Sequence, residues 1–303
     1  MVEGYRIEAG GLVPCHEDQA CVWLCISPDT AERRHLQARL GIAAHALEAS
    51  LDPDEVARIE IKPDHLFLVW KRPERFDGRG FTVASVGVML SEQRLVVICA
   101  SDSWLGGLRG GQGLASPLDV LMMTLDESVH HYLGHLRVVK QVAREIQQQF
   151  TQAMDSAQLV QMYNLRESLV YYVDAIKNNG GVLALLRSHG QRHGFSARQL
   201  EALDDLIIEN EQSYQQAKIH ARVFNNLIEA RGNLANNSMN QALRNLTLIN
   251  VVFLPLNLIA SIGGMSEFSM MTASLPWWVS FPTLVLGMVV LAVGMVVGLK
   301  RLV

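Results

Sequence analysis

The chain has 303 residues, of which 49% are hydrophobic and only 18% are charged, with a net charge of −4. It is too apolar for a disordered protein, and too weakly charged, with the wrong sign, for a nucleic-acid footprint. Its 4 cysteines are too few for a disulfide scaffold. The charge deficit is local: from Leu246 to Leu299 the only charged residue is Glu267.

In chain order, the start MVEGYRIEAG lacks the apolar core of a signal peptide. QACVWLCI, HLFLVW, FTVASVGVML and RLVVICA are short runs rich in β-branched and aromatic residues and are predicted strands. RPERFDGRG is a turn between two of them. Glu32–Ser50 and Asp54–Arg58 are predicted helical, with Asp52-Pro53 as a helix start. The Gly-rich connector LGGLRGGQGLASP has no following Gly-Lys-Ser/Thr, so it is not a phosphate loop. These features make residues 1–116 a cytoplasmic α/β domain.

Residues 117–240 are expected to form a helical stalk region. One helix is predicted over Pro117–Phe150 and a second over Ala157–His189. GQRHG, from Gly190 to Gly194, forms a break. A third helix starts near Ser196 and continues into the apolar C-terminus, with a coiled-coil-like seam at Leu200, Leu203, Ile207, Tyr214, Ala217, Ala221, Phe224 and Ile228.

Several side chains in this soluble part are candidate metal ligands. His130, His131 and His135 include an i,i+4 pair able to chelate zinc. His189 and His193 repeat the spacing across a break. Asp204, Asp205, Glu209 and Glu211 cluster on one helix. The commoner meanings of such residues are surface or intersubunit histidines and a solvated acidic face. Cys21 and Cys25, spaced four apart in a predicted strand, are expected on one face as buried reduced thiols. No nucleophile–base arrangement suggests an enzyme, and no cofactor motif is present.

Residues 241–303 make a transmembrane hairpin. Its spans cover about 246–265 and 277–299, and its outer loop is 266–276. Each span has the ~20 apolar residues needed to cross a hydrocarbon core. The loop has no Lys or Arg, while Arg231 and Arg244 precede the first span and Lys300 and Arg301 follow the second. The basic flanks place both termini on the cytoplasmic side of an inner, or plasma, membrane. Trp277 and Trp278 mark the outer interface. The first span carries Thr247, Asn250, Asn257 and Ser261, and extending it inward adds Asn240. Successive spacings of 7, 3, 7 and 4 put all five on one helical face. Such a face is either interhelical glue or the lining of a water-filled path. Two helices cannot enclose a path, so the second reading requires a homo-oligomer. Pro255 is expected to loosen the helix mid-span.

NNSMNQALRNLTLINVVFLPLNLIASIGGMSEF resembles the inner helix and signature loop of the CorA superfamily of divalent-cation channels and transporters. The match runs through Met239-Asn240, Leu246-Thr247, Pro255 and Gly264-Met265, and the short apolar hairpin looks closest to the ZntB-like zinc branch. The resemblance implies an α+β cytoplasmic domain, a long helical stalk and two transmembrane helices in a funnel-shaped homopentamer. It implies a pore along Asn240, Leu243, Asn250, Leu254, Asn257 and Ser261, with Leu243, Leu246 and Leu254 as hydrophobic constrictions. The transported or bound cation would be Zn²⁺ or Mg²⁺. The signature departs from the family's Gly-Met-Asn, or Gly-x-Asn in the zinc branch: Gly264 and Met265 are followed by Ser266. A hydroxyl ring is shorter than an amide ring. Glu267 would add a ring of negative charge. The departure also permits a membrane-anchored scaffold or stress sensor without selective transport.

Overall fold

Alternation along three central strands sets the layers of the first 100 residues. In Val22–Ile26 (β3), His65–Pro73 (β5) and Leu95–Cys99 (β7), both faces are apolar. Val22, Leu24, Leu66, Leu68, Trp70, Leu95 and Val97 join one core, whereas Trp23, Cys25, Phe67, Val69, Val96 and Ile98 join another. A sheet apolar on both faces must be covered on both. The computed structural model describes residues 1–74, 80–102, 106–107, 113–148 and 156–302.

The other strands are Val2–Glu8 (β1), Gly11–Pro14 (β2), Arg58–Ile61 (β4) and Val83–Ser91 (β6), and the sheet order is β2-β1-β3-β7-β6-β5-β4. Among the described strands, only β3 and β7 pair in parallel. The helices Thr30–Leu40 (α1) and Ala44–Leu51 (α2) cover one face through Leu36, Ile42, Ala46 and Leu47. Three long helices supply the other: Pro117–Gln148 (α3), Ser156–His189 (α4) and Ala197–Gly263 (α5). Their cover includes Leu121, Leu125, Val129, Val182, Leu183, Leu186, Leu203 and Leu206.

The four apolar runs form β3, β5, β6 and β7. The strands β1, β2 and β4 escape a hydrophobic-run reading because they lie at or next to the sheet edges. VEGYRIE and RIEI alternate charged with apolar residues instead of running apolar. The expected Glu32–Ser50 helix is two helices. Gly41 ends α1 at φ 69°, a left-handed conformation that stops the ladder. Asp54–Arg58 is not helical. The Asp52 carboxylate accepts from the Asp54 N–H at 2.9 Å, closing a turn, and Arg58 opens β4. Nor do Cys21 and Cys25 share a face. β3 starts after Cys21, which packs towards the α3–α5 side, while Cys25 packs under α1 and α2. Cys25 and Cys99 are free and buried, and burial pushes each thiol up to about 12.

Beyond the sheet, α3, α4 and α5 share a second core built from Tyr132, Leu136, Val139, Leu165, Leu169, Tyr172, Ala217 and Phe224. The α5 seam is wider than apolar residues alone indicate. Asn210 and Ser213 are buried in it, and Asn210 Nδ2 donates to the Ile176 carbonyl at 2.9 Å. Gly190–His193 is a 3₁₀ turn between α4 and α5.

The chain divides into two compact units, Met1–Ile228 and Glu229–Val303. The second holds the C-terminal part of α5, a short helix Ser266–Met271 (α6) and Trp277–Leu302 (α7). α5 and α7 each contain a stretch long and apolar enough to cross a membrane, and neither stretch is buried within the chain.

One side-chain amide fastens α4 to the sheet. β4 pairs β5 only as far as Val69, which leaves the next backbone groups of β5 without a strand partner on that side. The fully buried Asn179 takes them over. Its Oδ1 accepts from Lys71 N–H at 3.0 Å and its Nδ2 donates to Lys71 C=O at 2.7 Å. An Asn179→Leu variant strands the Lys71 N–H and leaves its carbonyl with the Tyr132 hydroxyl alone, at 3.3 Å; it is expected to lose roughly 1–3 kcal/mol of stability, measurable by denaturant unfolding.

Candidate functional site

The sequence-derived residues Asn240, Leu243, Leu246, Thr247, Asn250, Leu254, Asn257 and Ser261 all lie on α5. The helix runs unbroken through Pro255. At ~100° per residue the eight fall within an arc of about 120°, and all are exposed in the single chain, Leu254 at 69%. The half-buried residues of the same span are Leu248, Val252, Pro255, Leu256, Ile259 and Gly263. They occupy a second arc of about 100°, nearly opposite the first. This second arc faces α7. Leu248 and Val252 adjoin Val296 and Leu299, and Ile259 adjoins Leu284 and Gly287. A Cβ on Gly263 would lie 2.5 Å from Leu284 Cδ2, so the two spans approach closely there.

The hairpin therefore pairs through its apolar arc and leaves the polar one uncovered. Thr247 Oγ1 donates back to the Leu243 carbonyl at 2.8 Å. Among the described residues, the amides of Asn250 and Asn257 have no hydrogen-bond partner.

The signature follows directly. Gly264 N–H donates to the Ala260 carbonyl and Met265 N–H to the Ile262 carbonyl, both at 3.1 Å, finishing α5. Ser266 then opens α6. The expected outer loop is thus partly helical, because SEFSMM has no Gly or Pro to prevent it. The Glu267 side chain lies outside the described residues.

This arrangement has counterparts. Residues 18–301 match the model of the "CorA-like Mg2+ transporter protein" family. The chain belongs to that family. It is 24% identical over 260 residues to the cobalt/magnesium transport protein CorA of Methanocaldococcus jannaschii, covering 82% of this chain and 81% of the relative. The complete structure of the CorA magnesium transporter from that organism superposes with a TM-score of 0.80 at 20% identity, over 99% of this chain and 96% of the other. The full-length CmaX protein gives a TM-score of 0.77 at 14% identity, over 99% and 97%. The ZntB cytoplasmic domain from Vibrio parahaemolyticus gives 0.62 at 8% identity, over 78% of this chain and 98% of that domain. The α+β N-terminal domain, the long helix and the apolar C-terminal helix expected from the resemblance match the full-length CorA structure.

The candidate ligands of the α+β unit separate into unlike environments. Asp204 is held by Arg187 through two hydrogen bonds, Nε to Oδ1 at 2.7 Å and Nη2 to Oδ2 at 2.9 Å. Glu211 accepts from Gln215 at 2.6 Å. Asp205 is exposed. Glu209 faces His130, with Nε2 and Oε2 3.7 Å apart, so the acidic cluster does not converge. His189 bonds locally, its Nδ1 lying 3.0 Å from the Leu185 carbonyl, while His193 belongs to the 3₁₀ turn. Asp126 joins His130 and Glu209, a partner that an acidic-cluster search on one helix misses.

His131 and His135 do form a pair, but an aromatic one, with ring centroids 4.3 Å apart. Phe81 lies 4.6 Å from the His135 ring, and the Tyr172 hydroxyl is 2.6 Å from its Nδ1. Burial, then the neighbouring His131, pushes His135 down to about 4. Burial raises the Tyr172 hydroxyl, which therefore keeps its proton and donates it to Nδ1. With its folded pKa below the ordinary ~6.5, His135 stabilises the fold above that pH. This contribution is lost as pH falls from about 6.5 towards 4. Thermal unfolding of the full chain in detergent should show this acid loss, and His135→Gln should reduce it.

Proposed function

We propose that the chain transports divalent cations across the inner membrane, as a homopentamer with both termini cytoplasmic. Zinc is the favoured cargo, with magnesium, cobalt and nickel as alternatives. Its pore is lined by the α5 arc, with rings at Asn240, Thr247, Asn250, Asn257 and Ser261 and constrictions at Leu243, Leu246 and Leu254. Gly264, Met265, Ser266 and Glu267 form the outer mouth. One observation carries the reading: the polar arc faces away from the hairpin partner, and among the described residues the amides of Asn250 and Asn257 have no hydrogen-bond partner. Amides at membrane depth need partners or water, and α5 copies around a wet axis supply both.

The chemistry of the arc describes how an ion would pass. It offers amides and hydroxyls and no His, Cys or carboxylate. Such groups hydrogen-bond to an ion's water shell, whereas tight binding of bare zinc uses imidazole or thiolate. Mg²⁺ sheds its waters reluctantly. The ion therefore travels hydrated, and selectivity rests on ring diameter and on the dewetting cost at the leucine rings. Ser266, where the family carries Asn, shortens the outermost polar ring. The likeness to the ZntB domain supports placing zinc among the cargoes.

Liposomes loaded with a metal-sensitive dye test the reading. Zn²⁺, Mg²⁺, Co²⁺ and Ni²⁺ are compared with and without a proton gradient. Flux above empty liposomes is expected for at least one ion, and Asn257→Leu should abolish it with assembly intact. No flux for any ion would overturn the proposal, as would a silent natural protein that Ser266→Asn switches on.

A further inference from the structure

A cavity of about 520 Å³ opens between α4 and the sheet, walled by the loop 53–57, the stretch 80–83 that leads into β6, and one face of α4. On α4 the lining residues include Asn164, Glu167, Tyr171, Asp174 and Asn178. Their spacing of threes and fours makes them one stripe. Glu167, Tyr171 and Asp174 are exposed, as is Asp54 on the facing loop. Buried Phe81 and Ala175 and half-buried Val83 give the cavity an apolar floor. Lys71 is the one basic residue among the described lining, and it is tied down. Its Nζ donates to the Ser85 hydroxyl at 3.1 Å and to the Pro53 carbonyl. Glu55 is engaged by Arg58.

The carboxylates of Asp54, Glu167 and Asp174 remain to face an occupant. Burial lowers the Lys71 pKa while Asp54, Asp52 and Asp174 act against it, so Asp54 and Asp174 share one field across the cavity. Glu167 and Asp174 are seven residues apart, ~10 Å along the axis at ~1.5 Å per residue. One ion cannot bridge that distance. Tyr171 stands between them, one turn from each, with its ring open to the cavity's mouth. Anionic groups in series along an apolar trough, with an aromatic face between them, complement an extended chain that alternates ammonium and methylene groups. Each ammonium meets a carboxylate or the ring face, and the methylenes lie on the apolar floor. We propose that this cavity binds a linear aliphatic polyamine, one end on Glu167 and the other on Asp174, with Asp54 opposite and Tyr171 over the chain. The sign of the lining excludes an anion, and the second carboxylate distinguishes a polyamine from a monoamine. The site lies wholly within Met1–Ile228 and does not depend on the pore reading.

Isothermal titration of the full chain in detergent with spermidine, at fixed ionic strength, tests this. Saturable binding of one spermidine per chain is expected. Glu167→Gln and Asp174→Asn should each weaken it roughly fivefold, the effect of losing one partly exposed ion pair, and the double variant should weaken it further. Both side chains are exposed and both changes keep their shape, so the thermal unfolding midpoint should not move. Glu211→Gln, which neutralises an exposed acid of α5 outside the cavity, should bind as the wild type does. Butylamine, with a single ammonium, and Mg²⁺ should not displace spermidine. Absence of saturable binding, or equal binding by the wild type and the double variant, would overturn the site. Displacement by butylamine as effective as by spermidine itself would contradict the two-ended arrangement. Displacement by Mg²⁺ at matched ionic strength would contradict the assigned class of ligand.

Discussion

Hydrocarbon does not hydrogen-bond, and the C-terminal unit is organised around that constraint. A helix satisfies its own backbone, so α5 and α7 can lie in a bilayer as they stand. Side-chain amides have no such internal remedy. Asn250 and Asn257 sit in the middle of an otherwise apolar span, on the side turned away from α7. Pairing the hairpin through Leu248, Val252, Ile259 and Gly263 commits that apolar arc and leaves the polar arc to be completed by something outside the chain. The proposed function answers this unmet requirement, since on that reading further copies of α5 around water would meet it for every polar position.

The α+β unit meets the same demand with protein partners. Lys71 runs past the end of β4, and its backbone groups are met by Asn179. Trp70 donates its indole N–H to Ser128 Oγ at 2.8 Å, and Asn210 donates to Ile176. Each bond joins a different pair of elements: α4 to β5, α3 to β5, and α5 to α4. These buried hydrogen bonds fix how the long helices sit on the sheet, where apolar packing alone tolerates sliding. The result holds the N-terminal part of α5 firmly in the first unit, and the same helix continues into the second.

Much of this was legible in the residues. The apolar runs of β3, β5, β6 and β7, the long helices and the polar arc all follow from periodicity, because burial on a defined face leaves a period. What was hidden has physical reasons. Strands β1, β2 and β4, at or next to the sheet edges, are less buried than the central strands and lose the continuous apolar signal. The split at Gly41 depends on one left-handed residue inside an otherwise helical composition. Asn210 and Ser213 are buried polar residues that a search for an apolar seam passes over. Asp126, His130 and Glu209 come from two helices distant in sequence, and no spacing rule connects them. The arc itself was visible; its direction, away from α7, required the packed hairpin.

The central claim is that the arc faces a shared aqueous path, and thiol accessibility tests it most directly. Asn250→Cys and Asn257→Cys lie on the arc, Val252→Cys lies on the α7 side, and Ile249→Cys lies between the two. A water-soluble, membrane-impermeant cationic thiol reagent is applied to each variant in proteoliposomes, with labelling and flux read together. The account predicts that positions 250 and 257 react and that their modification blocks flux, while 249 and 252 stay unmodified. Equal protection at all four positions, or labelling at 249 and 252 in preference to 250 and 257, would contradict it.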